Sequence, residues 1–223
     1  MSDHASSFFD ALASADVEAL KAAGVERHFE SGELLCREGD AGAGIVVLLS
    51  GDVKLTKTAA NGRETMLELR GPGEVLGEMS VVDGNPQSAN AIALGDVDAL
   101  VISAGRINAL RAERAAIANA LLAITVRRLR QASARQHELG TVDGTSRVCR
   151  RLVELAAHHG ETTADGVSVR ALSQQELADW AGVSRDGVVR ALHELRNAGV
   201  LESSRGRIVI KDLAAVSARA GST

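Results

Sequence analysis

The sequence is poor in aromatic side chains, with no Tyr, one Trp and three Phe among 223 residues. Its cores must be aliphatic, and an aromatic platform that stacks single-stranded bases is not expected. Cysteine is equally scarce. Cys36 and Cys149 lie far apart and form neither a disulfide framework nor the clustered ligands of an iron–sulfur or zinc site. They read as two buried small hydrophobes. No apolar run approaches membrane-spanning length. The opening MSDHASSFFDALASADVEAL is acidic and lacks the basic-then-apolar order of a secretory leader, so a cytoplasmic protein is expected.

Nor is there a strong excess of one charge. The formal net charge is −4, but residues 1–140 carry 14 Lys and Arg against 19 Asp and Glu, and residues 141–223 carry 11 against 10. Where the arginines cluster therefore matters more than the total. With 45% hydrophobic and 24% charged residues, the chain suits two modest domains.

Residues 8–24 carry apolar positions at helical spacing (Phe9, Leu12, Val17, Leu20) and stop at Gly24. From about 25 to 103 short apolar runs alternate with glycine-rich turns. The runs are 34–36, 45–49, 53–57, 65–69, 75–76, 89–93 and 99–102, which predicts a closed all-β sandwich, roll or barrel. Asn61-Gly62 predicts a hairpin with a type I′ turn, in which both central residues take positive φ.

Residues 105–139 hold no proline and, after Gly105, no glycine, which predicts one long helix. Leu110, Ile117, Leu121 and Ile124 form one apolar seam suited to the β domain. Ala118, Leu122, Thr125, Leu129, Ala132, Gln136 and Leu139 form a second at coiled-coil spacing. The second seam is either a parallel homodimer interface or part of one wide core-facing stripe. Gly140–Asp143 then reads as a hinge, with Asp143 or Thr145 available as the next helix cap.

The most informative stretch is SQQELADWAGVSRDGVVRAL, residues 173–192. Ser173 and Glu176 form a capping box, Gly182 supplies a left-handed turn, and Ser184 caps a second helix that ends before Gly199. Leu177, Val183, Val188 and Leu192 face inward, and Trp180 is most simply core. The second helix opens with Arg185, Asp186 and, one turn on, Arg190, on the face that enters a major groove. Arginine there can bond guanine O6 and N7, and a carboxylate can accept from cytosine N4. Residues 200–210 read as a hairpin with a basic tip, Arg205 and Arg207, suited to backbone phosphate.

On these motifs the chain, from about 8 to 213, resembles the CRP/FNR (catabolite activator/FNR) family of bacterial transcription regulators. The resemblance implies an α+β fold: a cyclic-nucleotide-binding-type β-roll (1–104), a long dimerisation helix (105–139) and a winged helix-turn-helix (140–223). It implies that Arg185 and Arg190 read guanines, with Asp186 where glutamate is usual and Gly187 in place of Thr. Ser173, Gln175 and Ser184 match phosphate-contact positions, and TGTGA is the implied half-site. Gly77-Glu78-Met79-Ser80 with Pro86-Gln87-Ser88-Ala89 is similar to the family's phosphate-binding cassette, but Gln87 stands where the phosphate arginine is usual. Arg128 and Ser133 match pocket-lining positions, and Ala132 sits where cyclic-AMP-responsive members carry threonine. Arg70 either supplies a relocated charge to this pocket or is a solvated strand residue. The implied partners are double-stranded DNA, a second copy through residues 118–139, and RNA polymerase. The implied effector is cyclic AMP, weakened by Gln87, or another nucleotide such as cyclic di-GMP; binding without an effector is the alternative. A cupin-like metal enzyme fused to a DNA-binding domain is a further alternative, but the six histidines lack the required clustering, so no catalytic or metal-ligating residue is expected.

Overall fold

The computed structural model describes residues 7–170, 172–204 and 206–221. The chain forms two compact units, residues 5–133 and 134–223.

The first unit begins with a 3₁₀ turn (Phe8–Ala11) and α1 (Ser14–Ala23). Eight strands follow: β1 (Val25–Phe29), β2 (Leu34–Cys36), β3 (Gly44–Ser50), β4 (Val53–Thr58), β5 (Glu64–Arg70), β6 (Val75–Leu76), then, after the short α2 (Glu78–Asp83), β7 (Asn90–Ala93) and β8 (Val97–Ser103). They make two antiparallel four-stranded sheets, ordered β1-β8-β3-β6 and β2-β7-β4-β5. Alternation along β3 explains both cores. Val46 and Leu48 point between the sheets with Phe29, Val53, Ala91 and Val97. Ile45 and Val47 point the other way, under the helices, with Leu20, Leu100 and Ile102. A strand covered on both faces is apolar throughout rather than alternating.

Two more helices complete that outer core, α3 (Ala104–Glu113) and α4 (Ala115–Thr141). The single helix expected over 105–139 is thus two. Arg114 adopts an extended conformation (φ −127°, ψ 96°), and its guanidinium bonds Asp16 of α1 at 2.9 Å. The break has neither glycine nor proline, and a tertiary ion pair holds the residue that forms it. Leu110, Ile117, Leu121 and Ile124 do pack on the β domain, as the first seam predicts. Of the second seam, Leu122 (52% exposed) and Leu129 (67%) face outward within the chain, so a single wide core stripe does not describe it.

The turn at 59–62 also differs from expectation. No residue other than glycine has positive φ among the described residues, so a type I′ turn at Asn61-Gly62 is absent. Gly62 N–H instead donates to Ala59 O, and Ala59 N–H to Arg63 O. The loop is a type I turn closed by a left-handed glycine, which needs only one positive φ.

The second unit contains the last turns of α4, α5 (Gly144–His159), β9 (Gly160–Thr163), β10 (Gly166–Arg170), α6 (Gln174–Ala181), α7 (Arg185–Asn197), β11 (Leu201–Ser204), β12 (Arg207–Ile210) and α8 (Leu213–Arg219). Its strands form one sheet, β11-β12-β10-β9. Gly140 and Thr141 are still helical, leaving only Val142 and Asp143 between α4 and α5, and Asp143 caps α5 by accepting from Ser146 N–H at 3.0 Å. No helix of the described residues is long and apolar enough to cross a membrane.

Candidate nucleic-acid interface and effector pocket

Local chemistry sets the helix-turn-helix. Ser173 Oγ accepts from Glu176 N–H at 3.1 Å, while the Glu176 carboxylate accepts from Ser173 N–H at 2.9 Å, closing the capping box of α6. Gly182 sits in the left-handed region (φ 64°, ψ 40°), and Ser184 caps α7 through Gly187 N–H at 3.1 Å. Leu177, Val188 and Leu192 are buried between the helices, and Trp180 is 8% exposed, a core residue.

This leaves one face of α7 outward: Arg185, Asp186 and Arg190 are all exposed. Arg185 Nε donates to Gln174 at 3.3 Å, which aims it along α6, and Gln175 bonds Asp179 at 2.8 Å. Ser173, Gln175 and Ser184 are exposed around that face. Arg207 lies on β12, where its Nε donates to Ser168 Oγ on β10. It is therefore anchored to the sheet rather than free at the hairpin tip. Arg205 lies outside the described residues.

Two residues here were not singled out from sequence. Val189 is 38% exposed on the recognition face and suits apolar contact with a thymine methyl; the helical period of Arg185 and Arg190 pointed to it. Arg170 pairs directly across from Arg207, so the wing sheet carries two adjacent cations. That register was not visible without the β10–β12 pairing.

In the first unit Gly77, also left-handed (φ 79°), stands at the N-cap of α2. A Cβ there would sit 2.5 Å from Gly44 O and 3.1 Å from Gln87 Nε2, so only glycine fits. Glu78, 2% exposed, forms an ion pair with Arg128 of α4, whose second nitrogen bonds the Val75 carbonyl. Burial, then the nearby Arg70 charge, pull the Arg128 pKa below its usual value. Met79 is 43% exposed, Ser88 Oγ approaches its sulfur at 4.0 Å, and Ser133 is exposed five residues beyond Arg128. The backbone of Gln87 is held by Gly39 N–H and Asp40 O, each at 2.9 Å. Glu78, Gln87 and Arg128 are thus gathered around α2, while Ser133 makes no contact in this arrangement that defines a role.

Arg70 is not a solvated strand residue. It is 4% exposed and pairs with Glu68 at 2.5 Å and Glu74 at 3.5 Å. Burial disfavours its charge, but Glu68, Glu74 and Glu78 outweigh that and raise its pKa. Burial pushes both thiols up to about 11, which suits their reading as packing residues. Among the described residues no group of three or more His, Cys, Asp or Glu could hold a metal.

Comparison with known proteins agrees with this geometry. Residues 26–114 match the cyclic nucleotide-binding domain and residues 146–219 the Crp-like helix-turn-helix domain. The chain is 31% identical to the cyclic AMP receptor protein of Thermus thermophilus, over 94% of each chain. It is 30% identical to a CRP-like cAMP-activated global transcriptional regulator of Mycobacterium tuberculosis, over 86% of each. The chain belongs to the CRP/FNR family of transcription regulators. The family's members are DNA-binding proteins rather than enzymes. FixK2 from Bradyrhizobium japonicum shares the fold, with a TM-score of 0.78 at 21% identity, covering 90% of this chain and 98% of that one.

Proposed function

We propose that this CRP/FNR regulator acts in the cytoplasm as a homodimer on a two-fold symmetric duplex with TGTGA-like half-sites. The observation that carries the reading is the outward face of α7, where Arg185, Asp186 and Arg190 follow a Ser184 cap. Residues 118–139 supply the dimer seam, supported by the outward Leu122 and Leu129. Two copies so joined present two recognition helices about one DNA turn apart. RNA polymerase is the partner through which a bound dimer would act. A small effector seated against Glu78, Gln87, Ser88 and Arg128 shifts the dimer between two states. A cyclic nucleotide is the class, and both curated relatives above are named for cyclic AMP. Gln87 offers a phosphate an amide rather than a charge, so cyclic AMP itself binds weakly. A second reading, DNA binding without an effector, is favoured by one contact: Arg128 of α4 pairs directly with Glu78 and the Val75 carbonyl.

Selection from random duplexes tests the DNA reading. Arg190→Ala should cost about 1–3 kcal/mol and relax the choice at one guanine. Unchanged affinity and sequence choice in that variant would remove α7 from the role of recognition helix.

A further inference from the structure

Among the described residues Arg151 of α5 is the largest fully buried side chain, at 2% exposure. Its two terminal nitrogens bond Glu138, near the end of α4, at 2.6 Å and Glu154 at 3.0 Å. Its guanidinium carbon lies 5.7 Å from the ring centre of Trp180, on α6. Glu138 is held a second time by Arg150, at 2.9 Å, and Arg150 Nε bonds the Ala220 carbonyl at 2.8 Å. One turn earlier on α5, Arg147 donates to Ala181 O at 2.9 Å and Gly182 O at 3.0 Å, the turn of the helix-turn-helix.

The cluster is costly for a purely stabilising device. Neither Arg151 Nε nor Trp180 Nε1 has an acceptor among the described residues, and a buried donor left unpaired loses its water for nothing. A well-packed apolar side chain in place of a buried ion pair is often neutral or stabilising. What the ionic version adds is direction: three arginines of one helix reach three different neighbours. Arg150 and Arg151 both grip α4 through Glu138, Arg151 also lies over Trp180 of α6, and Arg147 grips the α6–α7 turn.

We infer that Arg151, with Glu138, is a positioning residue that makes the last turns of α4 part of the DNA-reading unit, so that movement of α4 is delivered to α6 and α7 rather than absorbed at residues 140–143. It acts through Trp180 and does not itself touch DNA. The inference rests on the two-half-site reading above for its DNA arm only.

Trp180 is the single tryptophan, so its emission reports on this cluster in the full-length protein. Glu138→Gln removes one carboxylate while Glu154 still holds Arg151. In that variant the amides of 134–141 should exchange with deuterium about tenfold faster or more, those of 116–126 should be unchanged, and Trp180 emission should shift. Preference for a symmetric TGTGA duplex over a scrambled one should fall, a ratio that simple loss of stability does not alter. Arg151→Met leaves Glu154 without this partner and should lower the melting temperature; compared well below that temperature, it should lose the same preference. Equal exchange at 134–141 in wild type and Glu138→Gln overturns the inference, as does unshifted Trp180 emission or a preference retained by Arg151→Met. If wild type shows no preference for the symmetric duplex, the operator reading fails, and exchange and emission of the free protein still decide this one.

Discussion

Replacing Gln87 by arginine is expected to convert weak cyclic AMP binding into firm binding. Around Glu78 the interacting charges include the carboxylates Glu68 and Glu74 and the guanidiniums Arg70 and Arg128. Both cations are committed, Arg70 to Glu68 and Glu74 and Arg128 to Glu78 and the Val75 carbonyl. A cyclic phosphate entering wild type therefore adds a negative charge next to Glu78 and meets the Gln87 amide where a charged donor would answer it. The Gln87 amide lies beside Gly77, against the start of α2, so an arginine at the same position reaches the same space with a charge. The difference between a neutral and a charge-assisted hydrogen bond is about 1–3 kcal/mol, roughly 5- to 150-fold in affinity. Calorimetry of wild type, Gln87→Arg, Arg70→Ala and Arg128→Ala against cyclic AMP at one fixed salt concentration gives the comparison. Melting temperatures are needed alongside, because Arg128→Ala leaves Glu78 buried and unpaired. Tight binding by wild type that survives both alanine substitutions refutes the charge reasoning outright. Tight binding lost in one of them instead names the arginine that leaves its carboxylate for the ligand.

Three further outcomes follow from the geometry. Leu129→Glu sets two like charges on the proposed seam, so sedimentation should show a monomer or a much weaker dimer; an undiminished dimer would move the interface. Gly182→Ala combines a left-handed backbone with a Cβ 2.4 Å from Leu139 Cδ2, and should cost about 1–2 kcal/mol in denaturant unfolding; no loss would mean the turn relaxes freely. The hydrogen bond from His28 to Asp98 raises the His28 pKa above its ordinary 6.5. The pair's contribution is then complete between the ordinary Asp value of 3.8 and the His value of 6.5, and is lost as pH rises through the raised His28 value. An NMR titration should show the raised midpoint in wild type and its return towards 6.5 in Asp98→Asn.

The helix-turn-helix was legible because every local signal agreed: the cap at Ser173, the glycine at 182, the second cap at Ser184 and the inward period of Leu177, Val188 and Leu192. Most strands of the roll were legible for the same reason. β1 was not, since four of its five residues are exposed and show no alternation. β9 consists of Gly160-Glu161-Thr162-Thr163 and gains its identity only from pairing with β10. The short α8 has no periodic signal of useful length. Arg114 could not be recognised as a helix break, because the partner that holds it is Asp16, 98 residues away in sequence. In the pocket, Glu78 and Gln87 were visible as a motif, whereas the burial of Arg70 depends on Glu68 and Glu74 folding around it.

The doubly covered strand β3 also constrains how this protein can fail. Gly44–Ser50 reads GIVVLLS, seven residues without a charge or a proline, which is the composition of a segment that stacks on copies of itself once uncovered. In the native chain β8 and β6 occupy its two edges and the helices and the second sheet cover its faces. Proteolysis or truncation that removes β8 would strip one edge and expose the strand as a template for fibre growth. Asp52, just past its end, is the nearest carboxylate to oppose such stacking.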